Sequence, residues 1–388
     1  MSNILIYNIN EPYGLQGGME RVTDTLIRML QRAGHRVSVL CRYPNRMKAA
    51  YHCPCPLYYL PEHLSPADYL QQLLDELQPD IIIDQEEGGI IGRHGFFSGR
   101  EKLQQKVPRI IAVQHSSALS ALRHYKQVRK KRIPNAFLSA LYHGPFLSLM
   151  KLRAQWMKKK DFAELNRHYD RIVTLSHAAV DEFQELCPRC DKLTVIPNCT
   201  HYPTPEIRER KKRHVLFVGR MENMSKGVDR LIRIWSETEK TCPDWHLHLL
   251  GDGPDLDFNR NLAARLGAER CHFHGCTDPT PFYRESAVIC LTSTYEGFGM
   301  VLLEGMQHGC IPMAFDSYPA VRELILHRQS GLVVPAFDEA AYSRELAELL
   351  QHEELRDKLS KGAERYAQAF SPQRICRKWE QLFSELAV

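Results

Sequence analysis

Two glutamates, Glu296 and Glu304, stand out as residues that could do chemistry because of what surrounds them in segment 292–306. An apolar run before Glu296 predicts a strand, and Gly297 and Gly299 predict the start of a helix that contains Glu304. Free backbone N–H groups at such a start bind anions, and glycines allow close approach. Each carboxylate can accept two hydrogen bonds from ligand hydroxyl groups. The segment therefore predicts a site for a hydroxyl-rich anion, although Glu296 also fits a favourable charge at a helix N-terminus.

A pair of cations, Arg220 and Lys226, forms the second candidate site. Arg220 follows a predicted strand at residues 214–219, and Lys226 lies in the loop that leads into the next predicted helix. Two positive side chains six residues apart match the charge of a diphosphate. The alternative is that both are ordinary solvated surface cations.

Two further candidates lie at element ends in the first half of the chain. Gly17 and Gly18 begin the first predicted helix, where they can cradle phosphate oxygens or simply form a tight turn. His115 follows a predicted strand at residues 109–114. A polar residue at that edge can face a ligand, although a single histidine is more often structural.

Alternating strands and helices position all of these residues. A strand at residues 3–9, a helix that stops at Gly34 and a strand at residues 36–40 form a βαβ unit, which indicates a parallel sheet. The same alternation predicts further strands along the chain, at residues 80–84, 109–114, 171–175, 193–196, 214–219, 245–250, 271–274, 287–292, 311–314 and 332–334.

A Pro-rich and basic passage at residues 201–213 interrupts this alternation and predicts a linker. We therefore predict an α/β protein with two Rossmann-like domains, residues 1–200 and 214–372, and a cleft between them at the carboxyl ends of both sheets. A final helix within residues 373–388 can pack back on the N-terminal domain.

The composition is that of an ordinary globular protein, and we expect a cytoplasmic one. Of the 388 residues, 44% are hydrophobic and 25% are charged, and no apolar run reaches the length of a membrane span. Residues 1–10 have no basic stretch before their apolar run, so they predict a strand and not a signal peptide. The twelve cysteines follow no metal or disulfide framework, which favours buried thiols in a reducing cytosol. Asp255 and Asp257 spell an Asp-x-Asp motif, which we interpret as a helix cap and not as a metal site.

The positive charge of the chain is concentrated in residues 121–160. This segment holds 11 lysines and arginines and no acidic residue, whereas the rest of the chain has 40 basic and 46 acidic residues. Aromatic and leucine side chains alternate with these cations, which is typical of a segment that docks on an anionic membrane surface. A solvated helical hairpin is the alternative. Nucleic-acid binding is not expected, because no nucleic-acid motif accompanies the charge.

Together, these motifs resemble the retaining glycosyltransferases of family 4, which are glycogen-synthase-like and have the GT-B fold of two Rossmann-like domains. The resemblance is to the bacterial members that make envelope polysaccharide or lipopolysaccharide, and it covers essentially the whole chain. The motifs that carry it occur in the family's order and spacing: Gly17-Gly18-Met-Glu20, Val195-Ile-Pro-Asn198, Gly219-Arg220 with Lys226-Gly227, Gly251-Asp-Gly-Pro254, and Glu296-x7-Glu304. One departure is Cys199, where the family often has glycine.

The resemblance implies a role for each candidate residue. Arg220 and Lys226 would bind the donor diphosphate, Glu304 would hold the ribose, and His115 would contact the donor sugar near its reacting carbon. Glu296 would hold the sugar hydroxyls. The remaining donor contacts would come from Gly17, Gly18, Gly275, Cys276, Gly297, Phe298, Gly299 and Met300. Such enzymes retain anomeric configuration without a settled protein nucleophile, and neither a metal nor a cofactor is expected.

The substrates implied are a nucleotide sugar, with a UDP-linked hexose or N-acetylhexosamine favoured, and a saccharide or lipid-linked saccharide acceptor. A nucleotide-sugar epimerase of the same fold is the main alternative. An NAD-dependent oxidoreductase is disfavoured, because no Gly-x-Gly-x-x-Gly follows the first strand and Cys41-Arg42 stands where an acidic residue would bind ribose. A non-catalytic membrane adaptor would leave the cation pair and the two glutamates unexplained.

Overall fold

A computed structural model describes residues 1–12, 17–44, 52–61, 66–86, 107–117, 119–124, 145–199 and 210–387. The chain divides into two compact units, one formed by Met1–His115, Met157–His201 and Phe370–Val388, and the other by Ser116–Trp156 and Tyr202–Ala369. Each unit contains one parallel β-sheet, which confirms the predicted pair of Rossmann-like folds. Most of the predicted linker and the middle of the basic segment lie outside the described residues.

The first sheet has seven strands in the order β3-β2-β1-β4-β5-β6-β7, and all of its pairs are parallel. Its strands are almost continuous apolar runs, as expected when helices cover both faces of a sheet. The elements of this part of the chain are β1 (Asn3–Asn10), α1 (Gly18–Arg32), β2 (Arg36–Tyr43), β3 (Leu57–Tyr59), α2 (Pro66–Leu77), β4 (Ile81–Asp84), β5 (Arg109–Gln114), α3 (Ser120–Arg123), α4 (Pro145–His168), β6 (Arg171–Thr174), α5 (His177–Leu186) and β7 (Leu193–Val195).

The second sheet has six strands in the order β10-β9-β8-β11-β12-β13. The order reverses between β8 and β11, so the loops after these two strands leave on opposite sides of the sheet. The elements are β8 (Lys212–Val218), α6 (Val228–Thr241), β9 (His246–Leu250), α7 (Leu256–Leu266), β10 (Cys271–Gly275), α8 (Thr280–Glu285), β11 (Ser286–Leu291), α9 (Met300–Gln307), β12 (Ile311–Phe315), α10 (Val321–Leu324), β13 (Leu332–Val334), α11 (Glu339–Gln351), α12 (Glu353–Ala367), a 3-10 turn (Gln368–Phe370) and α13 (Pro372–Glu385).

The core of the second unit explains why β8 and α6 hold their positions. Phe217 of β8 and Leu249 of β9 point to one face of the sheet, where the fully buried Trp235 of α6 belongs to the same cluster. Burial of a side chain of this kind contributes about 2 kcal/mol of transfer free energy. The loop that joins β8 to α6 is therefore anchored at both ends.

Three local predictions need correction. The predicted linker 201–213 ends too late, because Lys212 is already the first residue of β8. The three-residue strand β3 is too short to produce a periodic pattern and was not predicted. Asp255 lies at the N-cap position of α7, but its carboxylate makes no cap and accepts the backbone N–H of Asn223 at 2.6 Å instead. Asp255 therefore fastens the loop after β8.

The last helix, α13, packs on α1 within the first unit. Its apolar face is buried, and His35 Nε2 lies 2.6 Å from Glu380 Oε1. The buried side chains of this face are Ile375, Trp379, Leu382 and Phe383. The C-terminal segment therefore completes the first unit, although it follows the second unit in sequence.

An imidazole cluster covers the face of β8, β9 and β10 opposite the core, and its members are His214, His246, His248, His272 and His274. Nδ1 of His248 lies 2.9 Å from Nε2 of His274, and the same distance joins Nδ1 of His246 to Nε2 of His272. Burial and then the neighbouring imidazoles lower the pKa of His248 to about 3. The folded protein therefore keeps His248 neutral at pH values where a free histidine is protonated.

This depressed pKa predicts a loss of stability in mild acid. Below pH 6.5 the unfolded chain binds a proton at residue 248 that the folded chain does not bind. This contribution to the free energy of unfolding is therefore fully present above pH 6.5 and is lost as the pH falls towards 3. We expect urea unfolding midpoints measured between pH 7.5 and pH 5 to fall less steeply in His248→Leu than in the parent protein. The control Phe258→Leu, at an exposed side chain that does not titrate, should keep the parent slope. Equal slopes for parent and His248→Leu would contradict this account.

Candidate functional site

The candidate site lies where the strand order of the second sheet reverses, at the carboxyl ends of β8 and β11. Residues 219–227 follow β8, and residues 292–299 follow β11. Parallel strands end at the same edge of a sheet, and ligands of open α/β sheets bind where the order reverses. The structure therefore brings together at one edge the two segments that the sequence singled out.

Hydrogen bonds to backbone carbonyl groups hold these two segments against each other. Thr294 donates its backbone N–H to the carbonyl of Ser225 at 2.7 Å, and the Thr292 hydroxyl donates to the carbonyl of Gly227 at 2.9 Å. Bonds of this kind fix the backbone on both sides of the site. Its side chains are consequently positioned before any ligand arrives.

Arg230 strengthens this junction, a role that no sequence motif indicates. Arg230 is 5% exposed, and its guanidinium donates to the carbonyl of Thr292 and to the hydroxyl of Thr294 and lies 4.7 Å over the ring of Phe337. Burial lowers the pKa of Arg230 from its ordinary value. A buried guanidinium with carbonyl, hydroxyl and aromatic partners is a structural brace of the site.

Lys226 and Glu296 meet in an ion pair at the centre of the site. Lys226 Nζ donates to Glu296 Oε1 at 2.6 Å, and the hydroxyl of Ser293 donates to the same oxygen at 2.7 Å. The two charged side chains are 28% and 14% exposed, so both are reachable from solvent but held in place. A cation and a carboxylate from positions 70 residues apart thus converge as predicted from the sequence.

Arg220 lies in the same loop as Lys226 and is exposed. Among the residues that the structure describes, no acidic side chain pairs with its guanidinium. Gly275 is the last residue of β10, which is two strands away from β8 in the sheet, and Cys276 follows it and is exposed. Their contact with a nucleotide base stays a prediction.

Helix α9 begins four residues after Glu296. Gly299 is its N-cap with a left-handed φ of 88°, and Met300 is its first residue. Gly297 lies in the connecting turn, and the side chain of Phe298 is buried. The first backbone N–H groups of a helix have no partner within the helix, so this end can bind an anion or a hydroxyl group.

Glu304, the second glutamate, is less accessible than its predicted role suggests. It is 1% exposed, and its Oε2 accepts a hydrogen bond from the hydroxyl of the fully buried Tyr283 at 2.7 Å. The sequence spacing contains no signal for this partner, because Tyr283 belongs to α8. A contact between Glu304 and ribose stays a prediction.

The glycines of the first unit carry a carboxylate beside them. Gly17 is the N-cap of α1 with a φ of 70°, and a Cβ at that position would lie 1.8 Å from Oε2 of Glu20. Oε1 of Glu20 accepts from the side chain of Asn10 at 2.9 Å. A Cβ at Gly18 would meet nothing within 4 Å. A phosphate near Gly17 would therefore have to displace the Glu20 carboxylate.

His115 follows β5, as predicted. Its Nε2 is hydrogen-bonded to Oε1 of the buried Gln85, and burial lowers its pKa to about 4. The ring lies at a small cavity that Met29 and Trp379 also line. His115 is therefore a neutral imidazole at pH 7, and its contact with a donor sugar stays a prediction.

Two family models match the chain, one in each half. Residues 16–201 match the model described as Glycosyltransferase Family 4, and residues 203–366 match the model described as Glycosyl transferases group 1. The GT-B fold has a solved counterpart in HepE of Anabaena, in complex with UDP and glucose, with a TM-score of 0.75, 18% identity, and coverage of 99% of this chain and 100% of that one.

Curated relatives share more sequence over a shorter stretch. An uncharacterized glycosyltransferase of Haemophilus influenzae is 28% identical over 54% of this chain and 60% of its own length. The amylovoran biosynthesis glycosyltransferase AmsD of Erwinia amylovora is 28% identical over 46% of this chain and 50% of its own length. The chain thus spans about half the length of these relatives.

Proposed function

Because this chain belongs to the family 4 glycosyltransferases, we propose that it transfers a sugar from a nucleotide sugar to a saccharide acceptor with retention of configuration. The observation that carries this proposal is the Lys226–Glu296 pair at the strand-order reversal, with Arg220 in the same loop as an exposed cation that no described acidic side chain pairs with. Matches to two glycosyltransferase models over most of the chain support the reaction class.

The charges of the site fit the departure of a nucleoside diphosphate. In the proposed reaction the bond between the sugar carbon and the β-phosphate oxygen breaks, and the acceptor oxygen bonds to the same face of that carbon. The acceptor proton passes to a β-phosphate oxygen. Arg220 and Lys226 stabilise the negative charge of the leaving diphosphate, together with the N-terminus of α9. These two cations supply the charge that a divalent metal supplies in other transferases, so we propose a metal-independent reaction.

The ion pair also couples the two halves of the donor. A diphosphate that draws Lys226 towards itself removes one of the two hydrogen bonds at Glu296 Oε1. That oxygen can then accept a hydrogen bond from a sugar hydroxyl. Hydrogen bonds to a charged carboxylate are stronger than those to a neutral acceptor. Diphosphate binding therefore makes the Glu296 carboxylate available to bind the sugar.

We propose a UDP-linked hexose or N-acetylhexosamine as donor and an envelope polysaccharide or lipopolysaccharide intermediate as acceptor. The UDP and glucose bound to HepE support this donor class, and the amylovoran biosynthesis in the name of AmsD supports a biosynthetic transfer reaction.

A panel of UDP-, GDP- and ADP-sugars in a thermal-shift assay tests the donor, because a bound ligand raises the melting temperature according to its affinity. We expect UDP-sugars to raise it, and the best one to be consumed only when a saccharide acceptor is added. Formation of an epimer from the donor alone would indicate an epimerase instead. No shift with any nucleotide sugar would overturn the proposed function.

The first half of α4 presents an apolar stripe to solvent. Leu149, Leu152 and Trp156 lie at helical spacing on one side and are 63%, 62% and 66% exposed. Lysines and arginines follow in the same helix, within the basic segment 121–160. None of the described helices is long and apolar enough to cross a bilayer. We propose that α4 docks on an anionic membrane surface, where a lipid-linked acceptor would lie.

Liposome flotation tests this docking. We expect the protein to float with phosphatidylglycerol-containing vesicles and not with pure phosphatidylcholine vesicles, and to lose flotation in Trp156→Glu. The matched control is Phe258→Glu on α7, because Phe258 is also exposed, at 53%, but has no such basic surroundings. Flotation that ignores the lipid charge, or that survives Trp156→Glu, would contradict membrane docking.

A further inference from the structure

The hydroxyl group of Tyr318 lies at the start of α9 and has no hydrogen-bond partner in the part of the chain that the structure describes. Tyr318 is 5% exposed, and among the described residues nothing donates to or accepts from its oxygen. The hydroxyl reaches the N-cap of α9 so closely that a Cβ at Gly299 would lie 2.6 Å from it. The group therefore points into the part of the site that follows Glu296.

A buried hydroxyl without a partner destabilises the protein that contains it. Nearly all buried polar groups in proteins are paired, because an unpaired one has lost its hydrogen bonds to water. Phenylalanine would fill the same space without that loss. The hydroxyl of Tyr318 consequently gives nothing to the ligand-free fold.

The charged group near this hydroxyl is Glu296. Burial, followed by the negative charge of Glu296, holds the pKa of Tyr318 well above its ordinary value. The hydroxyl is therefore protonated and can donate a hydrogen bond. In the ligand-free structure, Lys226 and Ser293 already bind Glu296 Oε1.

Binding of a nucleotide sugar changes the hydrogen bonds of Glu296. When the diphosphate draws Lys226 away, Glu296 becomes a 14% exposed carboxylate that has lost its cation. A partly buried carboxylate without a cation is unfavourable unless another hydrogen-bond donor replaces the lysine. The hydroxyl of Tyr318, which has no hydrogen-bond partner among the described residues, can donate the hydrogen bond that the uncovered carboxylate lacks.

We propose that Tyr318 is a positioning residue for the nucleotide-sugar donor, whose hydroxyl donates to the Glu296 carboxylate once Lys226 has turned to the diphosphate. This inference rests on the proposed function, because it needs a diphosphate-bearing ligand at the site. It adds a residue whose hydroxyl makes no hydrogen bond to the described residues in the ligand-free state and holds Glu296 towards the sugar in the bound state.

The test combines Tyr318→Phe with Glu296→Gln and measures UDP affinity by calorimetry. In the parent background, Tyr318→Phe should raise the Kd of UDP about 10- to 100-fold, which is the effect of one hydrogen bond to a charged group. In the Glu296→Gln background, the same substitution should change Kd less than about twofold, because the charge that the hydroxyl serves is gone. The melting temperature of ligand-free Tyr318→Phe should equal or exceed that of the parent.

Tyr342→Phe is the matched control. Tyr342 is also fully buried, but its hydroxyl donates to the carbonyl of Met313 at 2.7 Å, so its loss should lower the melting temperature and leave UDP affinity unchanged. An unchanged Kd for Tyr318→Phe would overturn the inference. An equal loss in both backgrounds would also overturn it, since the hydroxyl would then contact UDP directly. Failure of the parent protein to bind any nucleoside diphosphate would instead refute the proposed function.

Discussion

Replacing Lys226 with alanine is expected to lower kcat/KM for sugar transfer about 100- to 1000-fold, which is the typical effect of removing one preorganised charge-stabilising donor. The leaving diphosphate would lose a cation, and Glu296 would lose the partner that holds it at 2.6 Å. The protein should remain folded, because Lys226 is partly exposed and packs no core. Initial rates with a labelled UDP-sugar measure the first effect, and thermal melting measures the second.

Lys240→Ala is the control for this substitution. Lys240 is an exposed lysine on α6 that pairs with Glu237, so its removal should leave kcat/KM unchanged. Lys226→Arg should recover part of the activity, because it keeps the charge but changes the geometry of the contact. If Lys226→Ala transferred sugar within about threefold of the parent rate, Lys226 would not stabilise the leaving group.

Replacing Gly227 with alanine is expected to lower the free energy of unfolding by about 2 kcal/mol or more. We also expect it to lower the rate of sugar transfer by a factor that corresponds to at least the same free energy. Gly227 has a φ of 62°, and a Cβ there would lie 2.3 Å from the carbonyl oxygen of Thr292. The segments after β8 and β11 would have to separate to make room. Because Lys226 and Glu296 sit on those two segments, their contact would be lost, and small misplacements of reacting groups cost about 100-fold in rate.

Gly267→Ala separates the clash from the backbone strain. Gly267 ends α7 with a φ of 67°, but a Cβ there would meet nothing within 4 Å. Alanine should therefore cost only the left-handed strain, about 1 kcal/mol, with full activity. Urea denaturation and transfer rates of the two variants provide the comparison. If Gly227→Ala and Gly267→Ala were equally destabilised and equally active, the contact between a Cβ at position 227 and the Thr292 carbonyl oxygen would have no effect.

The fold could be predicted from the sequence because its strands are apolar runs bounded by turns. The strands at Arg109–Gln114 and Leu332–Val334 have their predicted bounds, and most others differ by one or two residues at their ends, although β2 continues three residues further than predicted, to Tyr43. The convergence of Lys226 and Glu296 was also predictable, since both follow strands of one parallel sheet and such strands end at the same edge. Pattern and topology suffice for this level of the structure.

Side-chain partners could not be predicted, because they depend on packing between distant elements. Nothing in the spacing of Glu304 indicates that Tyr283 binds it, and nothing around Arg230 indicates that it braces the loop after β11. The Glu20 carboxylate beside Gly17 was likewise missed, because a glycine-rich helix start has the same sequence whether or not an acidic side chain folds over it. Local sequence specifies the element and not its neighbours.

The crystal structure of this chain with bound UDP tests the central claim most directly. We predict diphosphate oxygens within about 3 Å of Lys226 Nζ and of the Arg220 guanidinium, which is the distance of a charge-assisted hydrogen bond. Glu296 Oε1 should by then have lost its bond to Lys226. A diphosphate bound elsewhere on the chain, with the Lys226–Glu296 pair intact, would contradict the account.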